Sequence, residues 1–178
     1  MNSQSRDERL SWCYHEAGHA AIAWGFGYDL LDYDIVLKEG EAKFLFPTPL
    51  LEYLSKEELK FNITRLLAGP LAEDYLAGRQ RPVLRVSFRD IDNDAEESDS
   101  SRMKTMLVCL GCSLNTEADC VMSMQNQAWN IISEPQTWAA IQKIANTLFE
   151  RGVGGRVTGR ELQKIFKYYG PTRTTEML

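Results

Sequence analysis

The chain's two histidines stand four residues apart, in His15-Glu16-Ala17-Gly18-His19, and there are no others. In 178 residues, that spacing with a glutamate directly after the first histidine arises by chance about once in a thousand chains. The pattern needs a helix to mean anything. Positions i and i+4 project from one helical face, so both imidazoles can converge on a single ion. Glu16 then lies beside the first ligand, where its carboxylate reaches a metal-activated water without binding the metal. Imidazole pairs of this kind suit zinc, which lowers the pKa of its water to about 7.

The flanking residues predict that helix. Ser5-Arg6-Asp7-Glu8 has the form of a capping box, with Ser5 as N-cap and Glu8 three residues on. Ala17, Ala20, Ala21 and Ala23 favour helix and leave room for close packing. Leu10, Cys13, Ala17, Ala20 and Trp24 recur at three or four residues, as a buried stripe does. Gly25 and Gly27 supply a stop.

Further along, Tyr33 to Lys38 and Ala42 to Phe46 read as a β-hairpin closed over Glu39-Gly40-Glu41. Ser55-Lys56-Glu57-Glu58 is a second capping box opening a helix to about Ala77-Gly78, with Pro70 inside it. An acidic run follows, from Asp90 through Asp92, Asp94, Glu96 and Glu97 to Asp99. Its later members, Glu96, Glu97 and Asp99, read as the solvated start of a helix continuing through Arg102 to Cys112. Another helix begins at Thr116 and reaches about Ser133. Pro135 opens a helix with Trp138, Ile141, Ile144, Ala145 and Leu148 on one stripe. Gly152-Val153-Gly154-Gly155 reads as a flexible break. Thr158-Gly159-Arg160-Glu161 caps a last helix carrying Leu162, Ile165, Phe166 and Tyr169. The expectation is a mainly α fold of six helices and one hairpin, forming a single domain over 1–178.

With Ala68-Gly69-Pro70-Leu71-Ala72-Glu73-Asp74 and Asn93-Asp94 added to the two histidines, the chain resembles the peptidase domain of the FtsH family of AAA+ zinc metalloproteases. Val157-Thr158-Gly159-Arg160-Glu161-Leu162 is similar to that family's closing helices. The resemblance implies zinc bound by His15, His19 and Asp94, with Glu16 as catalytic base. Gly69-Pro70-Leu71 stands where the family has Gly-Gly-Arg. No third histidine exists, so the third ligand must be a carboxylate or a thiol; Glu73, Asp92 and Asp90 are the other carboxylates near enough to compete. No G-x-x-x-x-G-K-[ST] occurs, so no ATP-binding module is expected on this chain.

The function expected is peptide-bond hydrolysis by a zinc-activated water with Glu16 as general base. The strand Lys43 to Phe46 offers an edge for an extended peptide substrate. With both histidines committed, the metal, a tyrosine or an arginine must stabilise the oxyanion. A different class of function, a zinc-binding but inactive module serving as a regulatory partner, runs against the intact Glu16. Partners expected are an unfolded protein or peptide, further copies of the chain, or a separate AAA+ ATPase. A net charge of -5 with a pI near 5.1 argues against nucleic acid. No apolar run approaches the ~20 residues of a membrane span, and no export signal is apparent, so the cytoplasm is the expected compartment. Cys109-Leu110-Gly111-Cys112 reads as buried free thiols rather than half a metal site, and the four scattered cysteines, with Cys13 and Cys120, fit a reducing compartment.

Overall fold

The computed structural model describes residues 6–46, 53–80, 99–112, 117–171 and 173. Among them are six helices and a small antiparallel sheet, so the fold is mainly α as expected. The order is α1 (Arg6–Gly25), β1 (Ile35–Lys38), β2 (Glu41–Phe44), α2 (Lys56–Leu76) and α3 (Asp99–Cys109). It continues with α4 (Glu117–Ser133), α5 (Pro135–Arg151), β3 (Arg156–Val157) and α6 (Gly159–Tyr169). Ser5, Asn93, Asp94 and Thr116 lie outside the described residues.

α1 runs through the middle of the molecule. Every residue from Ala17 to Gly25 is buried, which is more than the one stripe the periodicity predicts. The reason is that α2, α5, α4 and β2 surround it on several sides. Small side chains make that possible. A Cβ added to Gly18 would lie 2.7 Å from the Ala68 carbonyl oxygen and 2.9 Å from the Ala72 Cβ. α1 and α2 therefore touch backbone to backbone at this crossing. On another side of α1, Tyr14 packs on Trp138 of α5 with ring centroids 5.4 Å apart, and Trp138 meets Tyr75 of α2 at 4.7 Å.

The capping boxes at Ser55 and Thr158 are both formed, each with its glutamate three residues on. Pro135 occupies the first turn of α5 and Pro70 lies inside α2. The hairpin pairs Ile35 with Phe44 and Lys38 with Glu41, closing at Gly40, whose φ of 90° suits glycine.

Two expectations are corrected. The glycine run at 152–155 is no loose break: the Leu37 amide donates to the Gly155 carbonyl at 2.9 Å, and the Gly154 amide to the Leu37 carbonyl at 2.8 Å. It delivers β3, whose Val157 and Arg156 pair with Ile35 and Val36. A two-residue strand carries no alternation to read. Sheet order is β2-β1-β3, which leaves β2 with one edge that no strand covers among the described residues. The cysteines are all free, but the pair expected to be buried is not: Cys109 is exposed and Cys112 half-buried, while Cys13 is buried and Cys120 half-buried.

Because the atom that a Gly18 side chain would strike is a main-chain oxygen, relief requires the two helices to separate. Gly18→Ala is expected to lower unfolding free energy by about 1–3 kcal/mol, read as a shift in the denaturant midpoint with the slope unchanged.

Candidate metal centre

Both histidines of α1 turn toward the first turn of α3. His19 Nε2 lies 3.1 Å and His15 Nε2 3.4 Å from the same oxygen, Asp99 Oδ2. The two rings stand edge to face with centroids 4.7 Å apart. His15, His19 and Asp99 are the one group of metal-capable side chains that converges among the described residues. Asp99 is thus no solvated helix start: it opens α3 with its carboxylate against both imidazoles, corrected from the sequence reading because only the fold carries α3 back onto α1. The expected ligand Asp94, and the competing Asp90 and Asp92, fall outside the described residues.

Glu73, the other alternative, takes a different place. It accepts a hydrogen bond from His15 Nδ1 at 2.9 Å. His19 Nδ1 likewise donates to the Arg65 carbonyl at 2.7 Å. Both Nδ1 atoms are therefore engaged by acceptors on α2, which orients the rings and leaves both Nε2 atoms facing Asp99. Metal-binding histidines characteristically hold their second nitrogen in this way.

The arrangement has a donor–acceptor imbalance that a cation removes. A neutral His19 carries its one proton on Nδ1, since a carbonyl can only accept. Its bare Nε2 then faces a carboxylate oxygen, lone pair to lone pair, unless a proton or a metal ion lies between. His15 is in the same position, between two carboxylates. Across a tetrahedral ion with bonds near 2.1 Å, ligand atoms stand ~3.4 Å apart; the His15 separation equals this and the His19 separation of 3.1 Å is slightly shorter. Two imidazoles and a carboxylate are a zinc-type donor set. The residues present fit the ion.

Without a metal the same contacts are read as protonation. Burial alone would lower the pKa of His15, but hydrogen bonds to Asp99 and Glu73, with the charges of Glu16 and Glu73, raise it from 6.5 to about 10. Burial pushes the Asp99 carboxyl up, yet the two histidines outweigh this and hold it far below the usual carboxylate range.

Gly69 explains why an α2 residue can sit under the site. A side chain there would fall on the His15 ring, so the glycine is a recess for the imidazole. Glu16 lies next along α1 and its Oε2 accepts the Phe44 amide at 2.6 Å. It lines two cavities: one of about 310 Å³ with Trp12, His15, Glu41 and Glu73, another of about 210 Å³ with His19, Lys43, Arg65, Asp99 and Arg102. Arg65 and Arg102 went unnoticed in the sequence because arginine on a helix ordinarily points to solvent. Burial brings the Arg65 pKa down to about 10, with Asp99 and Glu16 opposing the fall, so it stays charged at neutral pH. No family model and no curated protein matches the chain.

In metal-free protein, His15 has a folded pKa above its unfolded one, so its contribution to stability is complete below about pH 6.5 and is lost as pH rises through about 10. Thermal unfolding of the metal-free chain is expected to fall across that window, and to fall much less in Asp99→Asn, which removes the carboxylate.

Proposed function

We propose that the protein is a zinc-dependent peptidase in which His15, His19 and Asp99 hold the metal and Glu16 is the general base. The observation that carries this reading is the convergence of both Nε2 atoms and Asp99 Oδ2, with Glu16 one residue from His15 and facing the cavities on either side. Asp99 takes the role that the family resemblance gives to Asp94. When bound, zinc supplies a Lewis acid and a water of pKa about 7.

The remaining chemistry belongs to the chain. Glu16 accepts a proton from the attacking water and delivers it to the leaving amine nitrogen. Before substrate arrives, its carboxylate is held in place by the Phe44 amide. Glu73 and the Arg65 carbonyl keep both imidazoles in the tautomer whose Nε2 is free to coordinate.

Substrate pairs with the uncovered edge of β2. Leu45 donates to the Asp34 carbonyl at 2.7 Å, so its amide faces β1. By antiparallel alternation the Ala42 and Phe44 amides face outward. A peptide added along this edge crosses Glu16, which contacts Phe44 and lines a cavity on each side. Pairing through main-chain groups binds extended substrates with tolerance for sequence.

Purified protein is expected to bind one zinc per chain and to cleave an unfolded protein substrate. His15→Ala and Asp99→Asn should lose the metal, whereas Asp94→Ala retains it. Glu16→Gln should keep zinc and lose about 10²–10⁴-fold in turnover. Stoichiometric zinc without hydrolysis by the wild type would instead identify a metal-binding module. Zinc retained in Asp99→Asn and lost in Asp94→Ala would reverse the third-ligand assignment.

Ala42→Pro tests the edge. It deletes an outward donor without touching the β1 ladder, and proline is tolerated on edge strands. Peptide KM should rise with zinc content and unfolding midpoint unchanged; an unaltered KM rules out pairing at that amide.

A further inference from the structure

Arg65 is a buried arginine of α2 that lines the cavity beside Asp99. It is only 5% exposed, its Nε has no hydrogen-bond partner, and no carboxylate among the described residues forms an ion pair with it. Its guanidinium lies over the Phe46 ring, 4.8 Å from the centroid. A buried cation left with an unsatisfied donor is costly unless something pairs with it. Arg102, one turn into α3, lines the same cavity and is close enough for its charge to act against that of Arg65. Lys43 of β2 is a third cation at that cavity.

Arg65 and Arg102 line one cavity, neither is ion-paired among the described residues, and the charge of each acts against the other. Within a folded site such a pair is stabilised by an anion between them, and planar guanidinium donors match a carboxylate in two-point geometry. The cavity already holds two negative groups, Glu16 and Asp99, but these are committed to the Phe44 amide and to the histidines. The cavity on the other side of Glu16 has the opposite character, with Glu41 and Glu73 and no lysine or arginine in its lining.

We propose that the Arg65–Arg102 cavity is a specificity site for a carboxylate of the substrate, so that the enzyme selects peptides carrying Asp, Glu or a free C-terminus on that one side of the cleaved bond. This rests on the peptidase reading above for its meaning as specificity, but the carboxylate recognition is measurable without catalysis. A pocket of about 210 Å³ is of a size for one side chain rather than a folded partner. The opposed charge of the two cavities also fixes which way an extended peptide lies along β2.

The test uses quenched fluorescent peptides in pairs that differ by Glu against Gln at one position, scanned on both sides of the cleaved bond, plus one pair ending in a carboxylate or an amide. Turnover is measured on the zinc-loaded full chain, and peptide binding by fluorescence anisotropy on loaded and metal-free protein. At one position the acidic member is expected to have a KM and a dissociation constant lower by at least about tenfold, with kcat nearly equal. That ratio should shrink in Arg102→Gln while the Gln peptide is unaffected, and it should approach one in Arg65→Met. Arg102 is only half-buried, so its variant serves if Arg65→Met fails to fold. A preference confined to the acid–amide pair assigns the site to the chain terminus; one at an internal position assigns it to a side chain. Equal behaviour of every pair in the wild type overturns the proposal, as does an equal loss of kcat for both members in the variants, which would mark Arg65 as stabilising the reaction's developing charge. Cleavage with no acidic preference leaves the peptidase reading standing and removes this one. Acid-dependent binding with no cleavage does the reverse.

Discussion

The contact between α1 and α2 sets everything else in the site. Gly18 lets the helices approach until its Cα faces the Ala68 carbonyl, and at that distance α2 can serve both histidines at once. One turn toward the start of α1, the His15 ring drops over Gly69. One residue beyond Gly18, His19 reaches the Arg65 carbonyl. Glu73, one turn after Gly69, then meets His15 Nδ1. A wider crossing would leave the rings free to rotate, and two freely rotating imidazoles lose entropy when a metal fixes them. The small residues of α1 and α2 are therefore part of the site, although none of them touches an ion or a substrate.

This contact also shapes the electrostatics. A helix carbonyl is an acceptor with a spare lone pair, and at position 65 that lone pair is used by His19. The tautomer of His19 is decided by backbone, which cannot titrate, while that of His15 is decided by a carboxylate, which can. The two imidazoles are thus unequal. His19 is buried and held by a fixed group; His15 is half-buried and shares its proton with Glu73. Glu73 and Asp99 hold a proton on His15 tightly, so an ion entering here would have to displace it, and the negative charge of Glu73 would then strengthen the imidazole as a ligand.

What the sequence disclosed follows the range of the interactions involved. Local signals were legible: both described capping boxes, the turn at Gly40, proline at the start of α5 and the i,i+4 histidines all depend on neighbours within four residues. Burial around α1 was only half legible, because periodicity reports one face and α1 is enclosed on several. β3 is too short to leave a pattern and exists because α5 returns the chain to β1. Asp99 was the informative miss. Its local context, an acid at a helix start, is equally that of a solvated residue, and nothing within a few positions distinguishes the two. Only the placement of α3 against α1, whose histidines lie 84 and 80 positions away in sequence, gives it a role. Arg65 is hidden for the same reason: its burial comes from the hairpin and α3, not from its own helix.

The position of Asp99 has a consequence for how the fold holds together. α3 packs chiefly on α2, with Met103, Met106 and Leu107 buried beneath it, and its first residue is the bond to α1. A carboxylate at a helix N-terminus is favoured by the exposed amides there, so Asp99 is stabilised in its charged form from behind and by the imidazoles in front. Protonated histidines satisfy this oxygen with a proton, and a bound ion would satisfy it in the same place. α3 is consequently tied to α1 in either state, and the pair of arginines that faces the cavity, one on α2 and one on α3, keeps its spacing through the same tie. The carboxylate that meets both imidazoles and the charge pattern of the adjoining cavity are two results of where one helix begins.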